Sequence, residues 1–170
     1  DGFCFGHYTD CWKRTYFSGN NPEWGASLMN GAWACAHLVD SYRFTGDRED
    51  LKKSLPILES NARFIMSWFE DYDAGRSLSG PGVSPETGFY APDGTGPNVL
   101  SYVSNGTSHD QLLGREALRN YIYACGELGV RTPTLLKAVQ FLRKIPQPAI
   151  GPDGRVQEWR QPFEEMQNGT

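Results

Sequence analysis

The sequence lacks the features that mark several large functional classes. No stretch approaches the roughly 18 to 20 consecutive apolar residues of a membrane-spanning helix. No basic block is present to neutralise phosphates, and the net charge of −4 and the pI of about 5.4 disfavour a nucleic-acid partner. We therefore expect neither a membrane nor a nucleic acid among the partners of this chain.

Motifs for metal, phosphate and serine chemistry are also missing. The sequence has no glycine-rich phosphate cradle and no G-x-S-x-G serine elbow. The four cysteines lack paired C-x-x-C spacing, and the three histidines lack the close spacing of a metal triad: Cys4, Cys11, Cys35, Cys125, His7, His37 and His109. We therefore expect no metal site and no organic cofactor.

The remaining sequence signals bear on the compartment. Cys35 and Cys125 fall on apolar helix faces and are predicted core residues, whereas Cys4 and Cys11 could form a disulfide in an oxidising compartment. Two sequons for N-glycosylation begin at Asn105 and Asn168, so the expected location is secreted or periplasmic. The first residue is Asp, and we expect a piece of a longer protein.

The composition is that of a globular protein of about one domain, with 170 residues, 39% of them apolar. Aromatic residues make up 13% of the chain, and aromatic faces are used by proteins to hold the apolar faces of sugar rings. A well-packed core would explain the same aromatic content. Composition alone leaves both interpretations open.

Four segments have helical periodicity, and they predict helices near residues 26–45, 56–70, 110–128 and 133–144. Gly46 is a natural end for the first helix, and Asp47 can cap the second, which predicts an antiparallel helical hairpin. Pro56 should kink the second helix or split off a short opening turn. Thr132 followed by Pro133 is typical of a helix start.

Long loops separate some of these helices. Residues 72–108 are rich in Gly, Pro, Ser, Asn and Asp, and residues 150–156 contain an Asp-Gly turn that suggests a small hairpin. The chain therefore has short turns at one end of its helices and long loops at the other. We predict an all-α fold, a sector of a ring of helical hairpins, with strands confined to short hairpins and the site at the long-loop end.

Three stretches carry residues suited to chemistry. His7, Asp10 and Trp12 lie close together before the first helix, where they could bind a sugar or only cap and anchor a turn. Glu86 follows Ser84 and Pro85 in a glycine-rich loop, a setting for a general-acid carboxyl but equally for a helix start. Glu158 precedes Trp159, either as part of a site or as a surface carboxylate beside a partly buried indole.

Six blocks in order resemble glycoside hydrolase family 95, whose members are chiefly α-L-fucosidases, with some acting on α-L-galactosides. They are residues 7–12, 31–33, 42–49, 56–58, 84–86 and 150–159. The resemblance implies a sector of an (α/α)6 barrel and an inverting glycosidase that uses neither metal nor cofactor. Residues 1–170 would then be a partial catalytic domain, without the family's N-terminal β-domain and the remainder of the barrel.

The same resemblance implies roles for individual residues. Glu86 maps onto the general acid, while the asparagines and the aspartate that position the attacking water belong to stretches outside this chain. His7, Asp10, Trp12 and Trp33 map onto stretches that line the sugar pocket, and Glu158 joins them as a candidate for substrate binding. The implied partners are an oligosaccharide or glycan substrate and the remainder of the catalytic domain.

Some residues depart from the family pattern. Gly6 stands where members often have a second His, and Asn30 stands where they often have Gly, so the choice between fucose and galactose remains open. The competing interpretation is a non-catalytic helical scaffold or carbohydrate-binding remnant of the same fold. The intact Ser84-Pro85-Glu86 favours the enzyme, because a decayed site needs no acid in a constrained loop.

Overall fold

The computed structural model describes residues 1–6, 8–9, 11–12, 14–16, 22–91 and 99–165. These residues form five helices: α1 Pro22–Gly25, α2 Asn30–Thr45, α3 Arg48–Trp68, α4 Ser108–Leu128 and α5 Pro133–Leu142. They also form nine short strands: β1 Tyr8–Thr9, β2 Thr15–Tyr16, β3 Phe69–Asp73, β4 Arg76–Ser79, β5 Gly82–Val83, β6 Phe89–Ala91, β7 Val99–Ser101, β8 Val103–Ser104 and β9 Glu164–Glu165.

Helices α2 and α3 form the predicted antiparallel hairpin. Gly46 ends α2 in the left-handed conformation, with φ of 69°, and its N–H donates to the Tyr42 carbonyl at 2.8 Å. The Asp47 carboxylate then accepts hydrogen bonds from the backbone N–H groups of Glu49 and Asp50. Backbone polar groups at the end of α2 and at the start of α3 therefore find hydrogen-bond partners within the connection itself, which is why so short a turn suffices.

Helix α3 runs unbroken through Pro56, so Pro56 does not split off a short opening turn, which was one of its two predicted effects. Pro56 lies on the exposed side of the helix. Proline has no N–H, so one hydrogen bond of the helix is missing on this exposed side, where water can replace it. Packing of the buried face, which includes Leu51, Leu58 and Ile65, keeps the helix continuous.

Helix α4 is the centre of the molecule, because α2, α3 and α5 all pack against it. The Thr107 side chain caps its start and Gly129, in the left-handed conformation, ends it. Cys125 of α4 and Cys35 of α2 are both buried in the core, as predicted, and Cys4 and Cys11 are exposed free thiols. The four helix predictions are confirmed within a few residues, except that α3 begins eight residues early, at Arg48.

The all-α prediction is too narrow. The long loops fold into small antiparallel sheets: β1 with β2, β3 with β4, β5 with β8, and β7-β6-β9. Two of these pairings, β5 with β8 and β6 with β9, join strands that are remote in sequence rather than neighbours in a hairpin. Backbone polar groups in long segments need partners, and these short ladders supply them. The fold is mainly helical with small antiparallel sheets.

The helices have two dissimilar ends. Residues 46–47 and 129–132 make the short connections at one end. At the opposite end lie the starts of α2 and α4 and the last turns of α3 and α5, from which the long segments depart; we call this the long-loop end. None of the helices that the structure describes is long and apolar enough to cross a membrane.

Candidate active site

Three segments that are remote in sequence meet at the long-loop end. The Ser108 N–H at the start of α4 donates to the Glu158 carbonyl at 2.9 Å, which joins α4 to the segment of residues 157–159. That segment also contacts the start of β6, because the rings of Trp159 and Phe89 lie 4.5 Å apart. The long loops predict that residues 3–12, 84–89 and 157–159 converge at one end of the helices. The second and third of these segments do meet, whereas the place of residues 3–12 beside them stays a prediction.

Glu86 lies in a tight turn of residues 84–87, which we call the Glu86 turn. The Thr87 N–H donates to the Ser84 carbonyl at 3.1 Å, and Glu86 has a positive φ of 63°. Proline at the second position and a positive φ at the third are the pattern of a type II β-turn. The alternative of a helix start at Ser84 is therefore wrong. The side chain of Glu86 is exposed, and its backbone is held in a conformation that is unfavourable for a residue with a Cβ.

Glu158 is half-buried beside this turn. Its Oε1 accepts a hydrogen bond from the Ser84 hydroxyl. Burial raises the pKa of the Glu158 carboxyl, the negative charge of Glu165 raises it further, and His109 lowers it. Glu158 is therefore a partly desolvated carboxyl in direct contact with the turn that carries Glu86, rather than a simple surface residue.

A second carboxyl, that of Asp110, is fully buried behind β5. The Ser79 hydroxyl donates to its Oδ2 at 3.3 Å, and His109 Nδ1 lies 3.2 Å from its Oδ1. Burial raises the pKa of Asp110, while the hydrogen bonds from His109, Thr107 and Ser79 lower it in part. A Cβ at Gly82 would collide with Asp110 Oδ2, so only glycine lets β5 pass so close to this carboxyl.

The burial of Asp110 could not be predicted from local sequence patterns. Asp110 is an acidic residue in the first turn of a helix whose cap is Thr107, a position where a carboxylate is expected for local reasons. His109 and Ser79 were not candidates either. A glycine beside the buried carboxyl, Gly82, was the available signal, and it could be interpreted only with the fold in hand.

Aromatic packing fixes the segment that carries Glu158. Trp159 is buried, with 1% of its surface exposed, and it packs on Phe89. Phe163 also stacks on Phe89, with ring centroids 4.2 Å apart. Trp159 is therefore an anchor in the core of this end, and its indole is not available to a substrate.

Comparison with known proteins shows the family of this chain. Residues 1–170 match the glycosyl hydrolase family 95 catalytic domain. The chain belongs to this family. It is also similar to Alpha-L-fucosidase 2 of Arabidopsis thaliana, with 33% identity over 159 residues. That match covers 92% of this chain but spans only 18% of the relative.

The remaining pocket candidates of this family 95 chain are partly placed. Trp33, in the first turn of α2, is 60% exposed, and Trp12 is 72% exposed with the Arg14 guanidinium 5.6 Å from its ring. Both indoles can therefore be reached from solvent. His7 and Asp10 lie outside the described residues. That these four residues share a pocket with Glu86, and that Glu158 binds the substrate, stay predictions.

The family 95 chain also has a groove that lies apart from this site. The groove, of about 420 Å³, runs beside α3 and α5, where Arg63, Lys137 and Lys144 are among its lining residues. Neither Glu86 nor Glu158 lines it, so polar geometry rather than concavity locates the candidate site.

Within the described parts of the chain, no group of three His, Cys, Asp or Glu side chains is placed to hold a metal ion.

Proposed function

We propose that this chain is part of the catalytic domain of an inverting glycoside hydrolase that removes terminal α-L-fucosyl residues. Family membership and the name of the Arabidopsis relative support the reaction class and the sugar. The helical hairpins and the long-loop end support a sector of an (α/α)6 barrel, completed by the remainder of the domain. An oligosaccharide or glycan is the substrate, and the compartment is secreted or periplasmic.

Glu86 is the proposed general acid. The observation that carries this role is the positive φ of 63° at Glu86, on a residue with a full side chain. Strained backbone conformations persist where the surrounding structure holds them, and they cluster at active sites. In a sequence selected for stability alone, glycine would be the expected residue at this position.

The chemistry requires a second group, which we place outside this chain. An inverting glycosidase protonates the departing oxygen with one carboxyl while a base activates a water on the opposite face of the sugar. Glu86 would give its proton to the departing oxygen. Residues outside this chain would position the water, and Trp12, Trp33, His7 and Asp10 would contact the sugar.

Two related alternatives have some support. The exposed indoles of Trp12 and Trp33 would also suit a carbohydrate-binding or scaffold remnant without catalysis. Such a remnant gives no reason for a glutamate in the left-handed conformation, which favours the enzyme. The second alternative is a terminal α-L-galactosyl substrate, and hydrolysis of matched fucosides and galactosides would distinguish it.

The substitution Glu86→Gln in the full-length enzyme tests the acid role. An amide cannot donate the proton, so kcat on a natural fucosyl-galactose should fall by about 10² to 10⁴. An aryl fucoside with a good leaving group needs little protonation and should lose much less. The two substrates are compared under the same conditions, with a tight-binding inhibitor used to confirm that the sugar still binds.

Glu70→Gln is a suitable control because Glu70 is an exposed glutamate on β3, outside the Glu86 turn. It should leave both substrates unaffected. Equal losses on both substrates for Glu86→Gln would remove Glu86 from the acid role.

A further inference from the structure

The Glu86 turn is attached to the rest of the molecule by a side-chain hydrogen bond. Ser84 is the first residue of the turn and is buried, with 3% of its surface exposed. Its hydroxyl donates to Glu158 Oε1 across 74 residues of sequence. A change at Glu158 can therefore reach the turn without any contact between Glu158 and Glu86.

Glu158 has the fixed backbone that such a role requires. Its carbonyl accepts the Ser108 N–H at 2.9 Å, at the first residue of α4. The next residue, Trp159, is buried against Phe89. The segment is thus held by α4 on one side and by the aromatic core on the other, and its carboxylate is presented to Ser84 from a rigid support.

The turn gains from such a support because its own backbone terms are small and opposed. A residue with a Cβ in the left-handed region costs roughly 1 kcal/mol relative to right-handed conformations. One backbone hydrogen bond, from Thr87 to Ser84, closes the turn. The net contribution of such a bond is about 0.5 to 1.5 kcal/mol, so the local terms nearly cancel.

We propose that Glu158 is a positioning residue whose carboxylate, by accepting the Ser84 hydroxyl, fixes the turn that directs Glu86 towards the departing oxygen. This inference rests on the proposed acid role of Glu86. The charged groups that face Glu158 are His109 on α4 and Glu165 on β9. Glu158 therefore acts through Ser84 and needs no contact with the substrate.

The kinetic test uses Glu158→Ala and Glu158→Gln in the full-length enzyme. The alanine variant loses the acceptor, and misplacement of Glu86 should lower kcat on a fucosyl-galactose by about 10- to 100-fold. An aryl fucoside, which needs little protonation, should lose less than about 3-fold. Glutamine keeps an acceptor oxygen for Ser84 and should restore kcat to within about 3-fold of the wild type on both substrates.

Ser84→Ala and the double variant identify the contact responsible. Ser84→Ala should reproduce the leaving-group dependence of Glu158→Ala, and the double variant should be no worse than either, because all three remove one bond. Glu164→Ala, a change at an exposed glutamate on neighbouring β9, is the matched control and should be silent. Additive losses, or a glutamine variant as poor as alanine, would overturn the positioning role.

Hydrogen exchange gives a readout that does not depend on activity. In Glu158→Ala and Ser84→Ala, amide exchange in a peptide spanning residues 84–89 should rise about 5-fold, the equivalent of losing one hydrogen bond. Unchanged exchange would overturn the inference even if Glu86→Gln behaves as an acid variant should. A different result is raised exchange in these variants together with equal losses for Glu86→Gln on both substrates. That result would overturn the acid role of Glu86 and therefore also the positioning role of Glu158. The Ser84–Glu158 contact would then be structural only.

Discussion

At the scale of single residues, the backbone of Glu86 gives a test that is independent of catalysis. With φ of 63°, Glu86 occupies a region that glycine enters without steric cost. Glu86→Gly should therefore raise the free energy of unfolding by roughly 0.5 to 1 kcal/mol, while hydrolysis of natural fucosides is lost. Urea unfolding followed by circular dichroism measures the change.

The control for this prediction is the same substitution in a helix. Glu116 is exposed within α4, and Glu116→Gly should lower the free energy of unfolding by about 0.5 to 1 kcal/mol. The two glycine substitutions should thus change the free energy of unfolding in opposite directions. If Glu86→Gly is as destabilising as Glu116→Gly, the strain argument for the active site is wrong.

Asp110 predicts a pH dependence of stability. Its pKa is raised in the folded state, so the folded protein retains a proton that the unfolded chain releases above about pH 4. The stability that Asp110 contributes is complete below that pH and is lost as pH rises through the folded-state pKa. Asp110→Asn has no carboxyl to ionise at this position, so this loss is absent. The unfolding free energy of the variant, relative to that of the wild type, should therefore increase as pH rises from 4 to 8.

Denaturant unfolding at several pH values in that window measures the difference. Asparagine keeps an acceptor for the Ser79 hydroxyl, which limits structural change. An Asp47→Asn variant, in which the exposed cap of α3 loses its charge, is the control for general effects of removing a carboxylate. A gap between wild type and Asp110→Asn that stays constant with pH would contradict the prediction.

The residues of the site were partly predictable. Glu86 and Glu158 were recognisable as carboxyls in unusual local settings, and the family resemblance supplied a role for the first. The bond between Ser84 and Glu158 was not predictable, because it joins residues 74 positions apart. Asp110 was hidden for the same reason: its burial follows from the packing of β5 and α4, which no local pattern encodes.

At the scale of elements, the helices were predictable because their signals are local. Apolar residues at helical spacing, the cap at Asp47 and the Thr132-Pro133 start each act within one or two turns. The hairpin predicted at residues 150–156 is also present, as an antiparallel bridge between Ile150 and Val156. The strands β5, β8 and β9 were not predictable, since each is two residues long and is defined by a remote partner. A periodicity of two needs more residues than these strands contain.

Gly126 within α4 and Gly129 directly after it should respond to alanine with stability changes of opposite sign. A Cβ at Gly126 or at Gly129 would meet no atom within 4 Å, so packing does not distinguish the two positions. Gly126 is helical, and Gly126→Ala should stabilise the protein by about 0.5 to 1 kcal/mol. Gly129 has φ of 69°, and Gly129→Ala should destabilise it by about 1 kcal/mol.

Thermal and urea unfolding of both variants, measured side by side, check this pair. Since neither residue lies at the long-loop end, kcat and KM on an aryl fucoside should stay unchanged in both. Stabilisation by Gly129→Ala would show that the end of α4 is not held in the left-handed conformation.

At the scale of the whole molecule, the two ends of the helices should have separate tasks. The short connections contain caps that serve stability, and the long-loop end carries the Glu86 turn and the Glu158 segment. Sequence alone predicted this asymmetry, because short turns and long loops are visible as spacing between periodic segments. How the described helices are completed into a closed barrel depends on contacts outside the chain and stays a proposal.

One helix tests this division, because α2 carries an exposed tryptophan near its start and an exposed phenylalanine near its end. Trp33 is 60% exposed at the long-loop end, and Phe44 is 92% exposed beside the Gly46 turn. Trp33→Ala in the full-length enzyme should raise KM for fucosides about 10-fold, a loss of about 1.4 kcal/mol, because it removes the aromatic face that we propose for the sugar. Phe44→Ala should leave KM unchanged, and neither should shift the melting temperature by more than a few degrees, since little buried surface is lost. Equal effects of the two substitutions on KM would place the sugar away from the start of α2 and remove Trp33 from the pocket.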